Sequence, residues 1–171
     1  HAIPRRQRQM CIRDRDNVEL NDIPKESSML GKANLIKEGN DITIVAYSNM
    51  VNVVKEAIAA EELQDCSIEL IDLQTVSPID YDTIKNSLKK TKRLLVCQEA
   101  PSNSSVGTTV ISKIVESELF HELEVAPKLV SGLHSPMPSA KHLELNVIPQ
   151  AEDITNCLLY TSDAADEELR G

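Results

Sequence analysis

From residue 31 onward the chain switches repeatedly between two apolar spacings. Asp41–Tyr47 (DITIVAY) is short, apolar and rich in β-branched residues, which predicts a buried strand. Met50, Val53, Val54, Ala57 and Ile58 recur at helical intervals and predict an amphipathic helix over Met50–Glu62. Ile68–Leu73 (IELIDL) predicts a second strand. Asp80 is placed to cap a helix running to Lys90, with Ile84 and Leu88 one turn apart on its inner face. Lys89 and Lys90 fall in its last turn, where cations oppose the negative end of the helix dipole. Arg93–Gln98 predicts a third strand, Gly107–Phe120 a helix built on Val110, Ile111, Ile114 and Val115, and Lys128–Ser131 a short fourth strand. Pro136, Pro138 and Pro149 interrupt any period between His134 and Pro149, so that stretch is expected to be irregular. Asp153 and Ile154 open a last helix that is expected to stop short. Strands alternating with helices predict an α/β fold: a three-layer α/β/α sandwich around a mostly parallel sheet, with right-handed crossovers.

The two ends do not share this patterning. Residues 1–15 (HAIPRRQRQMCIRDR) hold five Arg and one Asp, and residues 157–171 (CLLYTSDAADEELRG) hold four acids and one Arg. Both are expected to be non-native extensions, because RQRQMCIRD and LYTSDAADE resemble translated sequencing-adapter read-through. Residues 16–30 are polar, with Pro24 and a Ser pair, and read as a linker. That leaves 31–156 as the domain.

Composition narrows the function classes. Aromatic residues make up 2% of the chain and Trp is absent, so the core has to come from Val, Ile, Leu and Ala. The net charge of −9 argues against nucleic-acid binding, which normally needs a basic face. No apolar run approaches the roughly 20 residues of a membrane helix. Cys11, Cys66, Cys97 and Cys157 have no short spacing, which points to a reducing compartment and no zinc site.

Parallel sheets place ligands beyond the carboxyl ends of their strands, here Ser48–Asn49, Gln74–Thr75 and Glu99–Asn103. A phosphate cradle needs closely spaced glycines, whereas Gly31, Gly39, Gly107 and Gly132 are isolated. Gly107 is expected to allow tight helix–sheet packing, and Glu99 to hydrogen-bond loop amides. His121, His134 and His142 lack metal-ligand spacing and are read as surface or interface residues. Ser102, Ser104 and Ser105 lack a nucleophile elbow. No residue is assigned as catalytic, cofactor-binding or metal-binding.

Three stretches carry a family resemblance. GKANLIKEGNDITIVAYSNMV (31–51), ELIDLQTVSPIDYDTIKNSLKKTKRLLVCQEAP (69–101) and SPMPSAKHLELNVIPQAEDI (135–154) resemble the C-terminal, transketolase-like domain of β subunits of 2-oxoacid dehydrogenases. The last stretch is most similar to the pyruvate-specific branch of mitochondrial and alphaproteobacterial type. Gln74 stands where that family often has Arg, and Asn103–Val106 where it often has a glycine-rich turn. The resemblance implies an α2β2 heterotetramer, with thiamine diphosphate and magnesium held between the α subunit and the other half of β. It implies that this domain binds no cofactor and serves assembly and docking. The expected partners are the α subunit, a second β subunit and the lipoyl acyltransferase core, with no nucleic acid and no membrane. The expected setting is the mitochondrial matrix or bacterial cytoplasm. The interface candidates are Pro136, Met137, Pro138, Lys141, Leu143, Glu144 and Asp153. Two readings compete: the same domain in a branched-chain 2-oxoacid, acetoin or transketolase-type enzyme, and a free-standing ligand-binding domain.

Overall fold

A computed structural model describes residues 29–168 except 61, 62 and 65; of Lys141 and residues 161–168 it describes the backbone alone. The expectations for residues 1–15 and 16–28 lie outside the described residues. In chain order the elements are β1 Asn34–Lys37, β2 Ile42–Ala46, α1 Met50–Ile58, β3 Ile68–Asp72, α2 Tyr81–Thr91, β4 Leu94–Pro101, α3 Val106–Val115, a 3-10 helix Glu118–Glu122, β5 Lys128–Gly132, α4 Lys141–Glu144 and α5 Ala151–Glu168. The five strands form one sheet in the order β1-β3-β2-β4-β5. The pairs β3–β2, β2–β4 and β4–β5 are parallel, and β1 joins β3 antiparallel at the edge. This is the α/β fold with a mostly parallel sheet that the alternation predicts.

Strand alternation sorts the apolar residues into two cores. Ile44, Ala46, Leu70, Leu95 and Cys97 face one side, where Met50, Val54 and Ala57 of α1 and Ile154 and Leu158 of α5 cover them. Val45, Ile71, Leu94 and Val96 face the other, under Ile84 and Leu88 of α2 and Val110 and Ile114 of α3. Each such Leu or Ile contributes roughly 1.5–3 kcal/mol by leaving water. The two helical layers therefore follow from one alternation read on three central strands.

α2 begins as expected, with the Asp80 carboxylate accepting from the Thr83 N–H at 3.3 Å and the Thr83 hydroxyl at 2.8 Å. The Asp80 carboxylate also accepts from the Ala33 N–H at 3.1 Å, tying the incoming chain to the helix start. Burial pushes the Asp80 pKa up, but these bonds and the nearby Lys32 ammonium hold it below its ordinary value.

Four differences from the expected elements have local causes. β1 is invisible to hydropathy because it is four residues long, on an edge, and mostly exposed. α3 ends at Val115 instead of Phe120, because Ser117 turns extended and the chain re-enters as a 3-10 helix. Part of the irregular 134–149 stretch is the short helix α4. The last helix starts at Ala151, not Asp153, and does not stop at 156. Ile154 and Leu158 stand one turn apart on the core face, and Leu158 is 3% exposed. The apolar period thus continues past residue 156, contrary to the reading that the closing segment carries none.

Candidate interface at the carboxyl end of the sheet

The loops after β2, β3, β4 and β5 gather at one end of the sheet. Ser48 and Gln74, directly after adjacent parallel strands, both adopt left-handed backbone (φ 57° and 51°). For Gln74 the turn is fixed by the Asp72 carboxylate, which accepts from the Gln74 N–H at 3.0 Å. Thr75 supplies its hydroxyl oxygen to the Gly31 N–H at 3.2 Å.

After β4 the organising residue is Gln98, not Glu99. Gln98 is fully buried. Its amide Nε2 donates to the carbonyls of Ala100 (2.9 Å) and Pro101 (3.2 Å), and its Oε1 accepts from the Gly107 N–H at 2.7 Å. The Tyr47 hydroxyl donates to the same Oε1 at 3.4 Å. One side chain thus satisfies the strand end and the first turn of α3. Gly107 packs as expected: a Cβ there would lie 2.6 Å from Gln98 Oε1 and 2.7 Å from Leu129 Cδ1. Ser105 caps α3, accepting from the Thr108 N–H, while Thr108 reciprocates from the Ser105 N–H. Ser105 therefore has a helix-capping role. Glu99 acts at a distance, since burial and then its negative charge push the Tyr47 phenol up. The only clue in sequence to Gln98 was an amide within an otherwise apolar strand.

The connection from β5 to α5 is built differently. Its backbone is anchored by the Leu133 N–H donating to Val147 O at 2.9 Å and by the turn from Glu144 to Val147 and Ile148. Four of its large apolar side chains are left in water, with Leu133, Met137, Leu143 and Leu145 46–60% exposed, while Ile148 packs against the core. Of the expected interface residues, Pro136 and Met137 are exposed on the loop, and Pro138 is half-buried. Leu143 and the half-buried Glu144 lie on α4; Lys141 is on the same helix, its side chain outside the described residues. Asp153 is exposed and accepts from the Gln150 N–H at 2.8 Å, closing the first turn of α5. A depression of about 310 Å³ between β5 and this connection is lined by Leu129, Leu133, Val147, Ile148 and Asp153, among others. Asp153 joins that depression, whereas Pro136, Met137 and Leu143 do not line it.

Elsewhere, His121 stacks edge-on against Phe120 with ring centroids 5.7 Å apart, and His134 and His142 are exposed. Cys66 and Cys97 are free thiols, and Cys11 lies outside the described residues. Burial first, and Cys157 second, push the Cys97 thiol far above its ordinary pKa, so it packs as a small hydrophobe. Among the described residues no three His, Cys, Asp or Glu side chains converge on a position for a metal ion, and no helix is long and apolar enough to cross a membrane.

The family described as "Transketolase, C-terminal domain" matches residues 31–154, and the chain belongs to that family. Within it, the chain is similar to the pyruvate dehydrogenase E1 component subunit beta of Acholeplasma laidlawii, 38% identical over 137 residues, 80% of this chain and 40% of that protein. The same subunit of Mycoplasma pneumoniae is 40% identical over 132 residues, 76% of this chain and 40% of that protein. The mitochondrial subunit of Pisum sativum is 37% identical over 125 residues, covering 73% and 34%. The chain spans about 40% of the length of the first two. A solved structure described as "Split gene transketolase, inactive beta4 tetramer" superposes with a TM-score of 0.69 over 81% of this chain and 44% of that one; at 21% identity it speaks for the fold alone.

Proposed function

We propose that this domain is the C-terminal part of the β subunit of a thiamine-diphosphate-dependent pyruvate dehydrogenase, and that its work there is assembly and docking. The observation that carries the reading is the β5–α5 connection, which leaves four large apolar side chains in water. Several large apolar side chains exposed within one connection, interspersed with polar residues, are characteristic of a protein interface. Similarity to proteins named as β subunits supplies the expected partners: the α subunit and a second β subunit. Prolines 136, 138 and 149 restrict the loop and lower the ordering cost of binding.

In this reading the cofactor pair, thiamine diphosphate with magnesium, is held by the α subunit and the preceding half of β. The whole heterotetramer decarboxylates pyruvate oxidatively and passes the acetyl group to lipoamide. The domain itself binds no cofactor. It docks a basic patch on the lipoyl acyltransferase core, and the acidic surface of this domain (net charge −9) makes that contact weaken as salt rises. The setting is a mitochondrial matrix or a bacterial cytoplasm. We take residues 31–156 as the native domain, 16–30 as its linker, and 1–15 and 157–171 as non-native. A foreign segment prolongs α5 because it happens to place Leu158 four residues after Ile154.

The test reconstitutes β with its preceding domain and the α subunit, then follows assembly by sedimentation and core binding by titration. Met137→Asp is expected to weaken assembly or core binding at least about ten-fold, as substitution at an interface anchor does, and Lys141→Glu, at the polar rim, by less. Native assembly and docking in both variants would return this connection to a packing role.

A further inference from the structure

A second apolar surface lies at the opposite edge of the sheet. Met29, Leu30, Leu35 and Val76 are 41–81% exposed. Two hydrogen bonds bring them together: the Gly31 N–H donates to the Thr75 hydroxyl, and the Ala33 N–H to Asp80, so residues 29–33 run along the 75–80 loop. Leu35 follows on β1, opposite Ile71 of β3. The outer side of β1 pairs with no strand among the described residues, since β1 ends the sheet order. Such an edge invites a partner unless it is covered.

We infer that this corner seats the domain that precedes it in the longer polypeptide. The inference rests on the reading that the chain is the C-terminal part of a β subunit. Two observations and one physical argument choose this occupant. The chain comes onto the fold here, so whatever precedes residue 29 leaves from within this patch. The family is a C-terminal domain and the relatives are about two and a half times longer than the stretch they share with this chain, so most of their length lies upstream. A short tether gives the upstream domain a high effective concentration at its own exit point, and a modest apolar patch then suffices. A second copy fits less well. It would have no tether, and its contact would depend on protein concentration.

The test uses the full β polypeptide without the α subunit, so that loss of subunit assembly leaves the readout unmoved. Val76→Cys and Val115→Cys are compared for maleimide labelling above the unsubstituted background. The two positions are almost equally exposed in the domain, 44% and 40%. Labelling at 76 is expected to be at least about ten-fold slower than at 115, an occlusion of about 1.4 kcal/mol, and independent of protein concentration. The double variant Leu35→Lys, Val76→Lys is expected to speed protease cleavage within residues 16–30 several-fold. Equal labelling rates overturn the inference. Slow labelling that appears only as concentration rises also overturns it, in favour of a second copy.

Discussion

The connections leaving β4 and β5 start from neighbouring parallel strands at the same end of the sheet, yet they satisfy themselves in opposite ways. After β4, Gln98 meets two carbonyls and one amide, and Ser105 and Thr108 exchange bonds across the start of α3. The polar groups find partners inside the fold, and Val106 packs against the core. After β5 the backbone is anchored, but Leu133, Met137, Leu143 and Leu145 remain in water. A connection whose side chains are satisfied within the fold contributes to stability. One whose apolar side chains face solvent contributes little until something covers them. Stability should therefore be sensitive to the first connection and to what pins the second, and insensitive to the second's exposed side chains.

The largest effect is expected where the second connection is pinned. Leu158 is buried among β-sheet and α1 residues. Leu158→Ala removes that contact and leaves a void, costing about 2–5 kcal/mol. Urea unfolding measures it, and deletion of 157–171 should cost a similar amount. An unchanged midpoint in both would mean that α5 ends functionally at 156.

Next comes Gln98→Leu, of nearly equal volume. It strands the Gly107 N–H and the carbonyls of Ala100 and Pro101, for about 2–3 kcal/mol. Glu99→Gln, one residue on, should move the unfolding midpoint little. If the two variants matched, the organising role given to Gln98 would be wrong.

That pair also marks what was legible in the sequence. The three central strands and their helices were, because Ile44, Leu70 and Leu95 alternate with Val45, Ile71 and Val96, and because an Asp before a helical period caps it. β1 was not, since an exposed edge strand has no inward period to show. Gln98 was not, since hydropathy reads a buried amide as the end of a strand, while its partners lie as far as 51 residues away. The apolar exposure after β5 was legible only in part: prolines and family resemblance marked the stretch, but which side chains reach water depends on how α4 and α5 return to the sheet.

A smaller effect tests a second satisfied site, away from both connections. Glu69 is buried on β3, bonded by the Lys90 ammonium and by the Gly39 N–H at 3.2 Å. Burial raises its pKa, but hydrogen bonds from Lys90, Ser87 and Gly39 and the Lys90 charge outweigh it, and the carboxyl sits below its ordinary value. A depressed folded-state pKa stabilises the fold above the unfolded carboxylate range and loses that contribution as pH falls through the folded pKa. Stability should therefore fall on acidification below the usual glutamate range. Glu69→Gln should flatten that limb of the profile; an unaltered slope would assign the acid sensitivity elsewhere, with Asp80 the next carboxylate to test.

The smallest expected effect is the most informative about the comparison. Met137 and Leu145 are both more than half exposed. Replacing either by Asp removes little buried area and adds a charge to an already solvated surface, so each should change the unfolding free energy of the domain by no more than about 0.5 kcal/mol. The same substitutions in the heterotetramer proposed above should dissociate it or weaken core binding, because a carboxylate pressed into an apolar contact has to give up its water. The two measurements together separate the alternatives. A loss of several kcal/mol in the domain alone would mean that these side chains pack within the fold, which erases the contrast between the two connections. A neutral result in both would leave an exposed apolar connection with no partner. Only neutrality in the domain with failure of assembly fits a surface left unfinished for another chain to complete.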